Sequence, residues 1–504
     1  MDHRIRRLVI VGGGTAGWMT AAAFAKILGT VNYDIVLVES EDIGTVGVGE
    51  ATIPQIRTYN DLLGIDENTF VRETNGTFKL GIHFVDWKRP GESYIHPFGL
   101  YGVDMDGIPF IHFWHRLANM GGNGDWGRFN AETMAMRENK FTRIPKGEAS
   151  GLPQINYAYQ FDASLYAAFL RRYAEARGVT RREGRIVRVG QAPESGNLTA
   201  LHLENGQSIA GDFFIDCSGF RGLLIEQTLK CGYEDWSEWL PCDRAAAVPS
   251  AKPDGPITPY TRSTSREAGW QWRIPLQHRT GNGYVFCSEF ISEDEACEKL
   301  LTRLDGAPLK DPKVLRFTTG HRRKMWHKNV VAFGLASGFL EPLESTSIHL
   351  VQAGIAKLLA LFPRTGIAQS VVDQYNRETI ADYVNVKDFL IAHYKVTERE
   401  DTPFWRRCKH MSVPDSLTAR LETFRATGQA AAQQWELFKE VSWFSVLAGQ
   451  GLMPGDYHPV ADVISDDDLR QRLGRLRSQV DQRVKGMMSH DDYIAKFCAA
   501  PKAA

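Results

Sequence analysis

Apolar residues first appear as a continuous run, Leu8 to Val11, that stops at Gly12-Gly13-Gly14. An alanine-rich stretch from Thr15 to Leu28 follows, then a second β-branched run from Tyr33 to Glu39. That order predicts strand, helix, strand. Parallel strands need a crossover, nearly always right-handed, so the pattern is a βαβ unit beginning an open α/β sheet with its ligand at the strand ends. Helical spacing returns at Phe161 to Arg177, and Leu201 to Ser218 predicts two strands about the turn Asn205-Gly206. Residues 245–320 carry strand-like segments, among them Gly269 to Pro275 and Gly283 to Phe290, which predict an antiparallel sheet on a substrate side. Val330 to Gly334 predicts a strand and Ile348 to Phe362 a helix. Beyond residue 365 the pattern is mainly helical, with Val371 to Phe389, Asp415 to Glu440 and Asp466 to Met487 as the main stretches. The expected organisation is a nucleotide-binding module over residues 1–365, with inserted elements at about 60–150 and 245–320, and a helical region over 366–504 that closes the substrate pocket.

Composition narrows the class of partner. With 59 basic against 60 acidic residues the net charge is -1, which offers no global field for nucleic acid or an anionic membrane. Seven cysteines without a C-x-x-C pair argue against a disulfide framework and a thiolate zinc site, and suit a reducing cytoplasm. The apolar start is cut short by its glycines, so no signal peptide is read, and no stretch is long and apolar enough to cross a bilayer. A cytoplasmic enzyme with no metal ligand set is the expectation.

Gly12-Gly13-Gly14-Thr15-Ala16-Gly17 is a G-x-G-x-x-G at the mouth of a helix. Gly12 suits the tight turn, Gly14 the close approach of backbone to a pyrophosphate, and Gly17 helix packing, while the helix N-terminus aims amides at the phosphates. Glu39 falls about twenty residues further on, where a carboxylate accepts from a ribose hydroxyl. This fingerprint alone does not separate FAD from NAD. The chain returns twice to glycine turns after apolar strands, at Asp216-Cys217-Ser218-Gly219 and at Gly334-Leu335-Ala336-Ser337-Gly338, and a cofactor as long as FAD needs such loops.

Further motifs carry a family resemblance: Gly47-Val48-Gly49-Glu50-Ala51-Thr52-Ile53-Pro54, Lys79 before Gly81, Trp270-Gln271-Trp272-Arg273-Ile274-Pro275, and Glu341-Pro342-Leu343-Glu344-Ser345-Thr346. With the glycine loop these resemble the flavin-dependent tryptophan halogenase family across nearly the whole chain. The resemblance implies a Rossmann-like FAD domain of the flavin monooxygenase type, holding FAD through the glycine loop, Glu39, Gly49, Ala51, Asp216, Gly334, Leu335 and Ser345. It implies that reduced FAD, dioxygen and chloride or bromide give hypohalous acid, which travels through a tunnel to Lys79 and Glu344. Halide falls to Thr346 and Ser347, although many relatives have glycine in place of Ser347, a departure that matters if φ there is positive. Trp270, Trp272, Ile274 and Pro275 become the tunnel and flavin wall, with Trp270 and Trp272 on one face of a strand. His96, Phe98, Trp443 and Phe444 become substrate contacts through aromatic stacking. Without the resemblance, Lys79 reads as a surface strand lysine, Glu341 and Glu344 as helix N-terminal carboxylates, and the aromatics as core.

One departure bears on substrate. Free-tryptophan halogenases carry a Tyr-Tyr pair, a Glu and a Phe-Trp pair that hold the amino acid, and Arg425 to Phe438 does not reproduce that clamp. Indole or a related electron-rich aromatic is therefore expected over free tryptophan. A separate NADH-dependent flavin reductase is expected as partner, since only one dinucleotide fingerprint is present; the oligomeric state, a homodimer included, is left open. Two other readings stand beside this one: a single-component flavin aromatic hydroxylase, and a non-catalytic FAD-binding protein.

Overall fold

Six strands build the first sheet, with the opening run of the sequence at its centre. The computed structural model describes residues 4–43, 49–122, 124–144, 151–430 and 432–501. Arg7–Val11 pairs in parallel with Asp34–Glu39 on one side and Phe213–Asp216 on the other. Thr180–Glu183 and Val330–Ala332 extend the parallel sheet, and a short antiparallel strand, Trp326–His327, ends it. Leu8 and Ile10 feed one core and Val9 and Val11 another, because alternate side chains of a strand leave on opposite faces. A sheet covered on both faces thus requires the unbroken apolar run that the sequence shows. Helix Thr15–Ile27 crosses over it and packs against helix Ala163–Glu175, its small residues Ala21, Ala22 and Ala23 fully buried.

The second sheet has seven strands in the spatial order Lys313–Arg316, Arg244–Ala251, Arg279–Phe286, Gly269–Pro275, Thr261–Arg266, Gly81–Val85 and Ser93–Pro97. It is antiparallel except where Thr261–Arg266 runs parallel to Gly81–Val85. The sheet expected from residues 245–320 is therefore completed by a hairpin from far earlier in the chain. Residues Thr77 to Val85 form two strands. The break falls at Leu80, whose N–H goes to the Pro259 carbonyl, so Thr77–Lys79 joins a small sheet with Ala158–Asp162 and Gly49–Ala51 while Gly81–Val85 joins the large one.

Two helix expectations change. Of the stretch expected from Asp415 to Glu440, the helix is Asp415–Thr427, stopped by Gly428 at φ 74°, and the next helix, Glu440–Gly449, only begins where that stretch ends. Helix Gln369–Lys395 runs past the expected end at Phe389, no glycine or proline standing in its way. It packs on helix Ser347–Leu361, and helix Asp466–Lys485 packs on Ala131–Arg137. The Phe78 N–H, beside Lys79, donates to His490 Nε2 at 3.1 Å, which ties the C-terminal helix His490–Phe497 to the small sheet. Among the described residues no helix is long and apolar enough to cross a membrane.

Candidate active site

A cavity of about 710 Å³ runs from the glycine loop to the large sheet, within the ~300–1,000 Å³ usual for ligand sites. Gly12 has φ 111°, and a Cβ there would lie 2.3 Å from the Cys217 carbonyl oxygen; a Cβ on Gly17 would lie 1.8 Å from the Gly12 oxygen. Gly14 lines the cavity and has nothing within 4 Å of its Cβ position. It is also the N-cap of helix Thr15–Ile27 and offers no side-chain cap, so the first amides of that helix are left for a ligand. Thr15, Ala16, Glu39, Gly49, Ala51, Gly334, Leu335, Ser345 and Ser347 also line the cavity. The Glu39 carboxylate packs on Gly13, with one oxygen taken by the Arg181 guanidinium. An extended cradle with uncapped helix amides and an acidic group fits a dinucleotide such as FAD. Among the described residues no cluster could hold a metal ion.

Asp216 corrects one expectation. Its buried carboxylate accepts from the N–H groups of Ser218, Leu224 and Ile225 at 2.7–3.0 Å, and its carbonyl accepts from Phe333 N–H. Asp216 therefore caps the turn beyond its strand, and its neighbours Cys217, Ser218 and Gly219 are the ones that face the cavity. Gly17, too, lies behind the loop and fixes the packing of its helix. Gly47 and Val48 fall outside the described residues.

Trp270 and Trp272 share a strand face and both line the cavity, their rings 6.1 Å apart. Ile274 lines it as well, whereas Pro275 offers only its carbonyl, to Thr77 Oγ1 at 2.7 Å. Trp270 Nε1 donates at 3.0 Å to Glu341, a fully buried carboxyl that also accepts from Tyr394 Oη and that burial pushes up to about 7. Glu341 thus braces the tryptophan wall, a link the sequence pattern does not reveal.

Lys79 and Glu344 are both fully buried. The small sheet sets Lys79 opposite Ala158 on the central strand, across which lies Gly49–Ala51, and its Nζ donates to Thr52 O at 3.1 Å and to Ser345 Oγ at 2.8 Å. Burial lowers the Lys79 ammonium to about 7, against a smaller opposing pull from Glu344. Ser345 is held at φ 60° and ψ 38°, a left-handed conformation that costs a non-glycine residue about 1–2 kcal/mol. The special backbone position is therefore Ser345 and not Ser347, which begins the 15-residue helix Ser347–Leu361. Thr346 precedes it, away from the cavity lining, with its Oγ1 buried and without a partner.

Glu344 is gripped by two histidines: His96 Nδ1 lies 3.0 and 3.1 Å from its two oxygens, and His393 Nε2 lies 2.8 Å from Oε1. Burial pushes this carboxyl up, but the two imidazoles more than offset it, bringing it down to about 2. His393 was hidden because the helical pattern was ended four residues short of it. Phe98 stands with its ring centroid 5.2 Å from Lys79 Nζ. Trp443 meets Phe389 edge-on at 4.8 Å, and Phe389 stacks at 3.9 Å on Phe438, itself 6.5 Å from His96. Phe444 points elsewhere, into Tyr101, Trp114, Trp126 and Phe424.

A nucleotide fold whose ligand cavity meets a tryptophan wall, with a buried lysine and glutamate across Ser345, fits the class of flavin-binding oxidoreductases. The sequence profile of the family described as tryptophan halogenase matches residues 7–466, and the chain belongs to that family. It is 38% identical over 491 residues to tryptophan 6-halogenase ThaL of Streptomyces albogriseolus, covering 90% of this chain and 91% of the relative. Among solved structures it is similar to Xcc4156, a flavin-dependent halogenase from Xanthomonas campestris (TM-score 0.96, 48% identity, 99% and 100% of the two chains). It is also similar to BrvH, a flavin-dependent halogenase from Brevundimonas sp. BAL3 (TM-score 0.95, 44% identity, 99% and 100%).

Proposed function

We propose that this halogenase forms aryl chlorides or bromides from indole or a related electron-rich aromatic without a charged amino-acid backbone. The observation that carries the reading is Ser345, which lines the cavity and accepts from Lys79 Nζ at 2.8 Å, so that one residue adjoins both compartments. Bound along the cavity, reduced FAD supplies the electrons with which dioxygen oxidises halide to hypohalous acid. The glycine loop, the amides of Thr15 and Ala16, Glu39, Gly49, Ala51, Gly334 and Leu335 hold that cofactor, and Trp270, Trp272 and Ile274 wall it from the arene. The backbone amides of Thr346 and Ser347, at a helix N-terminus, attract halide. Lys79 holds the electrophilic halogen beside the ring, a role an amine poised near 7 serves as hydrogen-bond donor or as nucleophile. Glu344 orients the halogen donor and handles the proton that the ring loses. Reduced FAD arrives from a separate NADH-dependent reductase.

The substrate inference has its own support. Both oxygens of buried Glu436 are taken by Arg420, at 2.7 and 2.8 Å, and the Arg420 guanidinium lies 4.5 Å over the Trp443 ring. These charges satisfy each other, and recruiting one to a zwitterion costs about 1–3 kcal/mol for the group it leaves unpaired. The test is mass spectrometry of the products formed from indole and free tryptophan in competition, with added reductase, NADH, FAD and bromide. Bromoindole is the expected main product. Dominant bromotryptophan would overturn the substrate assignment, and hydroxylated product without bromine would overturn the reaction.

A further inference from the structure

The contacts of His393 fix where its protons lie. Its Nδ1 is 2.8 Å from the Phe389 carbonyl, which only accepts, so Nδ1 carries hydrogen. Its Nε2 is 2.8 Å from Glu344 Oε1. A neutral imidazole with hydrogen on Nδ1 would turn a bare lone pair toward a carboxylate, and the contact would be repulsive. Turning the ring over would put C–H groups against both oxygens. The ring is moreover boxed in by Phe84, Trp87 and Phe389 at centroid distances of 5.2, 6.0 and 5.0 Å. An additional proton must therefore sit between His393 and Glu344. His96 makes no such demand, because a neutral ring donating from Nδ1 satisfies its contacts to the same carboxylate. The other ionisable groups acting on Glu344 are Tyr94, from the strand of His96, and Lys79. Both residues of the pair are 0% exposed, so bulk water cannot screen them or exchange the proton freely.

We propose that Glu344 and His393 rest as a carboxylate–imidazolium pair, and that this pair, rather than Glu344 alone, is the proton carrier of the aromatic substitution. The inference rests on the role given to Glu344 above. As the ring carbon bonds to halogen, the O–X bond of hypohalous acid breaks and its electron pair stays on oxygen. The pair's proton passes through Glu344 to that oxygen, which leaves as water. The C–H proton of the cationic ring then moves to Glu344, its bonding electrons restore aromaticity, and the proton is shared again with His393. The sum is ArH + HOX giving ArX + H2O with the pair unchanged. One carboxylate thus acts first as acid and then as base, and His393 is the positioning residue that stores the proton between the steps.

Two measurements test this. In protein labelled with 15N-histidine, both ring nitrogens of His393 should carry hydrogen, assigned by loss of the signals in His393→Gln, and Nε2 should lose its hydrogen in Glu344→Gln. In the reductase-coupled bromination of indole, His393→Gln should slow haloindole formation by about a hundredfold. FAD affinity and hypobromous acid captured by a 1,3-diketone trap should stay at wild-type levels. A neutral His393 in the wild-type protein would overturn the proposal, as would a His393→Gln variant that forms haloindole at the wild-type rate. Full activity in Glu344→Gln would instead remove the role assigned to Glu344 itself, so the two failures are distinguishable.

Discussion

Lys79 shows what burying a single charge costs the fold. A buried ammonium is costly, and here its compensation is two hydrogen bonds, to Thr52 O and Ser345 Oγ, with Glu344 further off. Burial takes its pKa from 10.5 to about 7. Between those values the unfolded chain binds the proton and the folded protein does not, so this group makes stability rise with pH across that window. Below about pH 7 both states are charged and the whole cost of burial is present. Lys79→Met removes the charge and keeps the volume, giving up hydrogen bonds worth about 1 kcal/mol each. The variant should therefore melt above the wild-type protein at pH 6, and the gap should narrow as pH rises to 9. A variant that melts lower at both pH values would show that the hydrogen bonds outweigh the charge. Strain at Ser345 belongs with that cost, since its left-handed backbone presents Oγ to Lys79 while the residue still lines the cavity.

At the scale of elements, the glycine loop separates two jobs that the motif runs together. Gly17 is pressed against the Gly12 carbonyl and keeps the helix on its strand, whereas Gly14 faces open cavity. Gly17→Ala should lower the melting temperature of the cofactor-free protein, because the clash at 1.8 Å is with backbone that cannot give way. Gly14→Ala should leave that temperature unchanged and weaken FAD binding, read by flavin fluorescence titration. Equal loss of stability in both variants would refute the division. This loop, its strands and its helix were legible because strict periodicity and local turn chemistry specify them. The break at Leu80 was not, since it depends on a hydrogen bond to Pro259, far away in the chain. The helix break was legible in principle, as Gly428 stood in plain sight inside the stretch assigned to one helix. Asp216 misled for a different reason: an acid after an apolar strand can serve a ligand or cap its own turn, and only the placement of Leu224 and Ile225 decides. His393 reaches Glu344 across 49 positions of sequence, a pairing that no local pattern encodes.

At the scale of the whole molecule, the ligand cavity, the strand of the two tryptophans and the long helix that carries His393 meet at one turn, Glu341 to Thr346. Glu341 braces the tryptophan wall, Ser345 faces the cavity, and Glu344 turns toward His96 and His393. If oxidant is made on one side of this turn and used on the other, the two halves must be separable by substitution. Lys79 contributes nothing to the cavity lining, so Lys79→Met should still bind FAD and still make hypobromous acid from bromide when reduced flavin is supplied. Its haloindole output should fall by at least about a hundredfold, while a diffusible 1,3-diketone trap becomes brominated at close to the wild-type rate of flavin turnover. The measurement is the partition of bromine between trap and indole at fixed oxygen consumption. A trap signal that vanishes together with haloindole would mean that Lys79 acts on halide oxidation itself, and the division at Ser345 would have to be abandoned. Persistence of the trap signal alone would place the loss on the arene side, where Glu344 is held between its two histidines.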